Sequence, residues 1–153
     1  MLHLAAYHPQ IPQNTGTLLR LSSCLGIKLD LIRPFGFVFD DKRLKRAGMD
    51  YIDTANYEIH DSFELFLGKY KSRRIIAMEA NEISTVHHKF QYQEDDILIV
   101  GSEHDGFMPQ DLQCCSDMVK IPMLPKKRSL NMAISAAMVL NQAMSQLNIF
   151  PKI

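Results

Sequence analysis

The sequence predicts an α/β domain: a mostly parallel sheet with helices on both faces. Two observations carry this. Five short apolar runs of strand length recur along the chain, and helix-like segments separate them in place of tight hairpin turns. A third observation agrees: 153 residues, 46% apolar and 22% charged, suit one domain, 1–153, that buries a core without disulfide or metal staples.

The elements follow in order. LHLAAY, from Leu2, reads as the first strand, and Thr15 to Leu25 as the helix after it, with Asn14 or Thr15 as its cap and Gly26 at its end. KLDLI, from Lys28, is the second strand. A helix at Ser62–Tyr70 leads to RIIAM, from Arg74, and ILIVG, from Ile97, is a buried-type strand. Pro109 suits the first turn of a helix running to Cys115. VKIPM, from Val119, is the last strand, and Ser129 can cap a final helix to Leu147 with Asn131 in its first turn. In that helix apolar side chains point in nearly every direction, more than one sheet-facing stripe absorbs, so a second surface is needed. A second subunit is expected to supply it, giving a homodimer.

Several function classes lose support. There is no apolar run long enough to span a bilayer and no basic-then-apolar leader, so a soluble, cytoplasmic protein with no membrane partner is expected. Cys24, Cys114 and Cys115 are an odd number without ligand spacing and read as reduced thiols. The six histidines form no metal motif; His87 and His88 would point to opposite faces of a strand, and no metal is expected. Neither G-x-G-x-x-G nor G-x-x-x-x-G-K-[ST] occurs, which removes the main support for a dinucleotide enzyme or an NTPase. The formal net charge is zero, yet most of the 17 basic residues fall in three clusters. These are Lys42, Arg43, Lys45 and Arg46; Lys69, Lys71, Arg73 and Arg74; and Lys126, Lys127 and Arg128. Clustered positive charge makes a local field for phosphates, and a solvated surface face is the plainer reading of any one cluster.

In an open α/β sheet, ligands bind beyond the C-terminal ends of the strands, and three loops there stand out. In PQNTGTLLR, Gly16 admits close approach of the backbone, and Arg20 among leucines needs an anionic partner or an exit to solvent. In GSEHDG, Gly101 and Gly106 bracket Glu103. In PMLPKKRSLN, a basic triplet precedes Ser129, which has no G-x-S-x-G elbow to make it a nucleophile.

Three stretches carry a family likeness. IPQNTGTLLRL resembles I-P-x-N-T-G-N-x-x-R-L, IPMLPKKRSLN is similar to I-P-M-x-P-x-x-R-S-x-N, and PFGFVFDDKRLKRAGMDY nearly repeats P-x-G-F-x-x-D-D-K-R-L-R-R-A-G-x-D-Y. These are patterns of the SPOUT (TrmH-like) class of knotted RNA methyltransferases. Within it the chain resembles the small stand-alone tRNA 2'-O-methyltransferases that modify the wobble nucleotide, cytidine or uridine at position 34. The resemblance runs over essentially the whole chain.

It implies a C-terminal trefoil knot, an exception to unknotted topology. It also implies a homodimer and S-adenosylmethionine as cofactor, held in the knot by Met78, Gly101, Glu103, Gly106, Ile121, Ser129 and Leu130. Arg20 takes the catalytic position near the methyl group and the target ribose, with Asn14 orienting its loop. A guanidinium with a pKa above about 12 is a poor base, so Arg20 is expected to anchor phosphate or ribose and ease alkoxide formation. Lys42, Arg43, Lys45 and Arg46, and Lys126, Lys127 and Arg128, would meet the anticodon stem-loop of tRNA, where unpaired bases are accessible. The chain departs from the pattern at GSEHDG, where G-P-E-T-R-G is usual and Asp105 replaces an arginine, and at Ala133 and Asn141. The alternatives implied are the same reaction on another RNA such as rRNA, or a silent dimeric RNA-binding module.

Overall fold

The central strands divide their side chains between two cores, as a sheet covered on both faces requires. In this computed structural model, which describes residues 1–46 and 50–153, the strands are β1 (His3–Tyr7), β2 (Lys28–Ile32), β3 (Tyr57–His60), β4 (Ile75–Met78), β5 (Thr85–Val86), β6 (Ile97–Val100) and β7 (Asp117–Lys120). They form one sheet in the order β3-β2-β1-β6-β4-β7-β5, and all its pairings are parallel. The helices are α1 (Pro12–Leu25), α2 (Asp41–Arg46), α3 (Phe63–Lys69), α4 (Pro109–Leu112) and α5 (Met132–Leu147). Ala47, Gly48 and Met49 of the PFGFVFDDKRLKRAGMDY stretch lie outside the described residues.

Period-two alternation assigns the faces. Leu4, Ala6, Leu29, Leu31, Ile76, Leu98 and Val100 meet Leu18 and Leu19 of α1 and the buried side of α5. Ala5, Tyr7, Ile75, Ala77, Ile97 and Ile99 meet Phe63 and Phe66 of α3 on the other face. Gly26, with φ 66, closes α1 in the left-handed conformation, and its N–H donates to Ser22 and Ser23 carbonyls.

The structure amends several expectations. α1 starts at Pro12, so neither Asn14 nor Thr15 caps it; proline suits the first helical position because its missing N–H would have no partner there. β3, β5 and α2 carried too few apolar residues in sequence to register, and α4 stops at Leu112. His87 and His88 sit in a 3₁₀ turn, His87–Lys89, because β5 ends at Val86. Ser129 does not cap α5; the side chain of Asn131 accepts from the amides of Ala133 and Ile134 instead. On α5, Met132, Ala133, Ala136, Val139, Leu140, Ala143 and Met144 are buried within the chain, and Ile134 and Met138 remain exposed on its outer side.

The second basic cluster is largely structural. Arg74 pairs with the fully buried Asp96 at 2.7 Å, Arg73 donates to the carbonyls of Met1 and Asp95, and Lys69 pairs with Glu58. Lys28 also pairs with Glu58, at 2.5 Å, and approaches Asp30 to 3.7 Å. Asp30 is fully buried in β2 and lies against His60 Nε2 and the Tyr70 hydroxyl at 2.8 Å and His3 Nδ1 at 3.1 Å. Burial alone would push this carboxyl up; the bonds from His3, His60 and Tyr70 and the charge of Lys28 outweigh it and hold it below its ordinary value. Asp30, Glu58 and His60 could together ligate a cation, and the Lys28 ammonium supplies positive charge to both carboxylates.

Candidate active site

The C-terminal ends of β1, β4, β6 and β7 open onto a cavity of about 550 Å³, a size suited to a small ligand. Its wall comes from the loops singled out in the sequence. From the β6 end, Ser102 and Gly106 exchange backbone hydrogen bonds of 3.1 and 3.0 Å, with Gly106 at φ 62. A side chain at Gly101 would be crowded: a Cβ would lie 3.0 Å from the Phe107 ring and 3.1 Å from the Gly106 backbone, so the turn would have to shift by roughly a few tenths of an ångström to admit it.

Glu103 leaves this turn and spans to the entrance of α1. Its carboxylate accepts from the amides of Gln10 (2.7 Å) and Ile11 (3.0 Å) and from Asn14 Nδ2 (3.2 Å). A carboxylate at a helix N-terminus is favoured by the helix dipole as well as by these bonds. Asn14, buried, accepts in turn from Asn131 Nδ2 at 2.9 Å, and the Asn131 oxygen caps α5. One polar chain thus ties together the three loops that the sequence left separate. On the far side of β1, the Tyr7 hydroxyl donates to Asp111, and His8, at φ 47, stacks on the Tyr7 ring as the backbone turns toward α1.

The cavity wall includes Met78, Gly101, Glu103, Gly106, Ile121, Ser129 and Leu130, all seven of the expected cofactor contacts, and Asn14. Glu103 lines the wall, but both its oxygens are engaged on the α1 entrance. Arg20 is not in the wall. It takes the exit to solvent, with its guanidinium 5.4 Å from the centre of the Tyr51 ring. The basic residues lie outside the wall too. Lys42, Arg43, Lys45 and Arg46 are exposed on α2, which Asp40 caps, with Lys45 paired to Asp53; Lys126, Lys127 and Arg128 are exposed on the loop before α5, where Lys126 has φ 62. Asp105 is exposed at the cavity rim.

Among the wall residues that sequence reasoning passed over are Glu79 and Ser102. The signal for Glu79 was its place directly after the strand RIIAM. For Ser102 it was the serine in GSEHDG where the pattern has proline. Burial pushes the Glu79 carboxyl up, and the Ser102 hydroxyl is buried without a hydrogen-bond partner. Asn131 was read as first-turn filling, because sequence spacing does not show that it bonds to Asn14. Asn131→Ala removes both the α5 cap and this tie and is expected to cost about 1–2 kcal/mol in urea denaturation; Asn131→Ser restores the cap and recovers roughly half.

Comparison with known proteins adds the family. The sequence pattern of the SpoU rRNA Methylase family matches residues 1–141. A protein of Beijerinckia indica subsp. indica named tRNA (cytidine(34)-2'-O)-methyltransferase is 40% identical over 152 residues, 98% of this chain and 94% of that one. A solved structure described as "Structural insights into the 2-OH methylation of C/U34 on tRNA" superposes with a TM-score of 0.87 at 38% identity, covering 97% of both chains. The SpoU methyltransferase AviRb of Streptomyces viridochromogenes, solved with AdoMet, shares the fold at TM-score 0.83 and 20% identity, covering 99% of this chain and 59% of that one. With the family pattern running from the first strand into the last helix, and the cavity built from loops inside that span, the chain belongs to the SpoU rRNA Methylase family.

Proposed function

We propose that this chain transfers a methyl group from S-adenosylmethionine to the ribose 2'-hydroxyl of the wobble nucleotide, cytidine or uridine at position 34, of tRNA. The observation that carries the reading is the convergence of three separated loops on one cavity, tied through Glu103, Asn14 and Asn131, in a chain so similar to proteins of that name. The wall suits the cofactor. Met78, Val119, Ile121 and Val139 form an apolar side for a base, and the orphaned Ser102 hydroxyl marks a polar side.

When bound, S-adenosylmethionine supplies a methyl group activated by a sulfonium. The protein's part is alignment, since transfer to a hydroxyl needs an in-line approach and removal of one proton. Met78, Gly101, Gly106, Ile121, Ser129 and Leu130 hold the cofactor. Glu103 holds the α1 entrance, so that Asn14 faces the cavity in one orientation. Arg20, free of the wall, anchors the ribose or its phosphate at the mouth with its planar guanidinium. Lys42, Arg43, Lys45 and Arg46 and the triplet Lys126, Lys127 and Arg128 carry the anticodon stem-loop.

The working unit is one methyltransferase domain, 1–153, in a cytoplasmic homodimer. Support for the dimer comes from exposed Leu130, Ile134 and Met138, which continue from the cavity rim along the outer side of α5. No described helix is long and apolar enough to cross a membrane. The C-terminal part is read as a trefoil knot. Support comes from α5 lying against β6 while Gln146 bonds the amide of Tyr92 and the carbonyl of Phe90 in the segment that joins β4 to β6.

Incubation with labelled S-adenosylmethionine tests the substrate class. Label is expected in tRNA and not in ribosomal RNA. Label in ribosomal RNA alone, the substrate in the family's description, reverses the assignment, and cofactor binding without transfer to either RNA identifies a silent binding module.

A further inference from the structure

Among the described residues, one carboxylate in the cavity wall is both withdrawn from solvent and without a partner. Glu103 accepts from three donors and Asp105 is exposed at the rim, whereas the half-buried Glu79 carboxylate makes no hydrogen bond or ion pair. Lys120, the ammonium in the same wall, donates to the carbonyls of Asn81 (2.8 Å) and Glu82 (3.5 Å). The Glu79 backbone is fixed: its N–H donates to the Val119 carbonyl at 3.0 Å and its carbonyl accepts from Ser84 Oγ at 2.5 Å. The side chain leans over the β6 turn, with Oε2 3.7 Å from where a Cβ of Gly106 would be. Ser102 belongs to that same turn. It is only 8% exposed, and its hydroxyl has no partner.

We propose that Glu79, assisted by Ser102, is the ribose anchor of the cavity, accepting the 2'- and 3'-hydroxyl protons of the cofactor's adenosine. The inference rests on the reading that this cavity holds S-adenosylmethionine. A half-buried carboxylate and a buried hydroxyl without partners are costly, and ligand donors offset that cost only when they arrive. An ionised carboxylate only accepts, so its ligand must donate, and a vicinal diol offers two donors to its two oxygens. Position agrees with chemistry. Glu79 directly follows Met78 and touches Val119 through its backbone, which puts it beside the apolar side suited to the base, where the sugar joined to that base must lie. An acid beyond a strand end takes a ribose hydroxyl in dinucleotide folds for the same reason. Burial pushes the Glu79 carboxyl up, so this anchor weakens as acid protonates it.

Calorimetric titration of the full chain with S-adenosylhomocysteine and with its 2',3'-dideoxy analogue tests the assignment. In the wild type, loss of the diol is expected to weaken binding about 10–100-fold, the range for hydrogen bonds to a charged group. Glu79→Ala is expected to lose a similar factor for S-adenosylhomocysteine and to bind the two ligands equally. Glu79→Gln, which keeps one acceptor, falls between, and Ser102→Ala loses about threefold. Removing an unpaired, half-buried acid leaves Tm unchanged or raised, which separates lost contacts from lost folding. The proposal is overturned if Glu79→Ala still discriminates between the ligands as the wild type does, or if it binds both normally yet fails to transfer methyl. 5'-Methylthioadenosine, which has the diol and lacks the amino-acid ammonium, must lose affinity in Glu79→Ala as well; if it does not, the carboxylate holds the ammonium and the assignment falls. A wild type that binds none of these ligands overturns the cofactor reading itself, and the anchor with it.

Discussion

Arg20→Ala is expected to lower methyl transfer to tRNA by about 10³-fold while Kd for S-adenosylhomocysteine stays within about twofold of wild type. The two halves of this result have separate origins. Arg20 lies outside the cavity wall, exposed on α1 with its guanidinium over Tyr51, so nothing that holds the cofactor is lost. In the proposed reaction, what is lost is a fixed positive charge where the target ribose enters, and charge placed for a developing alkoxide acts on the transition state. Arg20→Lys keeps the charge without the planar fork and is expected to recover only part of the rate. Folding is barely touched, because an exposed cation over an aromatic ring contributes about 0.5–1 kcal/mol. Single-turnover kinetics alongside calorimetry checks both halves, and a large loss of cofactor affinity would move Arg20 into the cofactor site.

Asp30→Asn is expected to have the largest effect on stability, about 3–5 kcal/mol at pH 7, because it leaves a buried polar cluster with one partner missing. His3, His60 and Tyr70 all turn to this carboxylate, and Lys28 adds its charge. The folded-state value is depressed, so the stability it contributes is fully present above the unfolded carboxylate range, near pH 4. It is lost as pH falls through the folded value. Urea denaturation of wild type and variant should therefore give curves that converge on acidification. Asp30 and Lys28 lie in β2, which contributes no residue to the cavity wall, and His3 lies at the far end of β1, so activity per folded molecule is expected to be unchanged.

These two residues also show what a sequence reveals. Leu4, Ala6, Leu98 and Val100 alternate with Ala5, Ile97 and Ile99, and that periodicity is visible in one dimension, so the doubly covered sheet could be read directly. β3 could not, because YEIH spends its polar residues on long-range partners: Glu58 on Lys28 and Lys69, His60 on Asp30. The resemblance supplied Met78, Gly101, Ile121 and Ser129 by motif position, and they meet in one wall. It did not supply the Glu103–Asn14–Asn131 tie, since hydrogen bonds between residues 89 and 117 positions apart leave no trace in spacing. Nor did it place Arg20. Among leucines, an arginine reads equally well as buried and paired or as turned outward, and only packing against Tyr51 decides.

Methyl transfer to the wobble ribose is tested most directly by nuclease digestion and mass spectrometry of tRNA incubated with this protein and labelled S-adenosylmethionine. One labelled nucleoside is expected, a 2'-O-methylated cytidine or uridine at position 34, absent from the Arg20→Ala reaction. Label on a base, label on the ribose of another position, or no label from a protein that binds S-adenosylhomocysteine would contradict it.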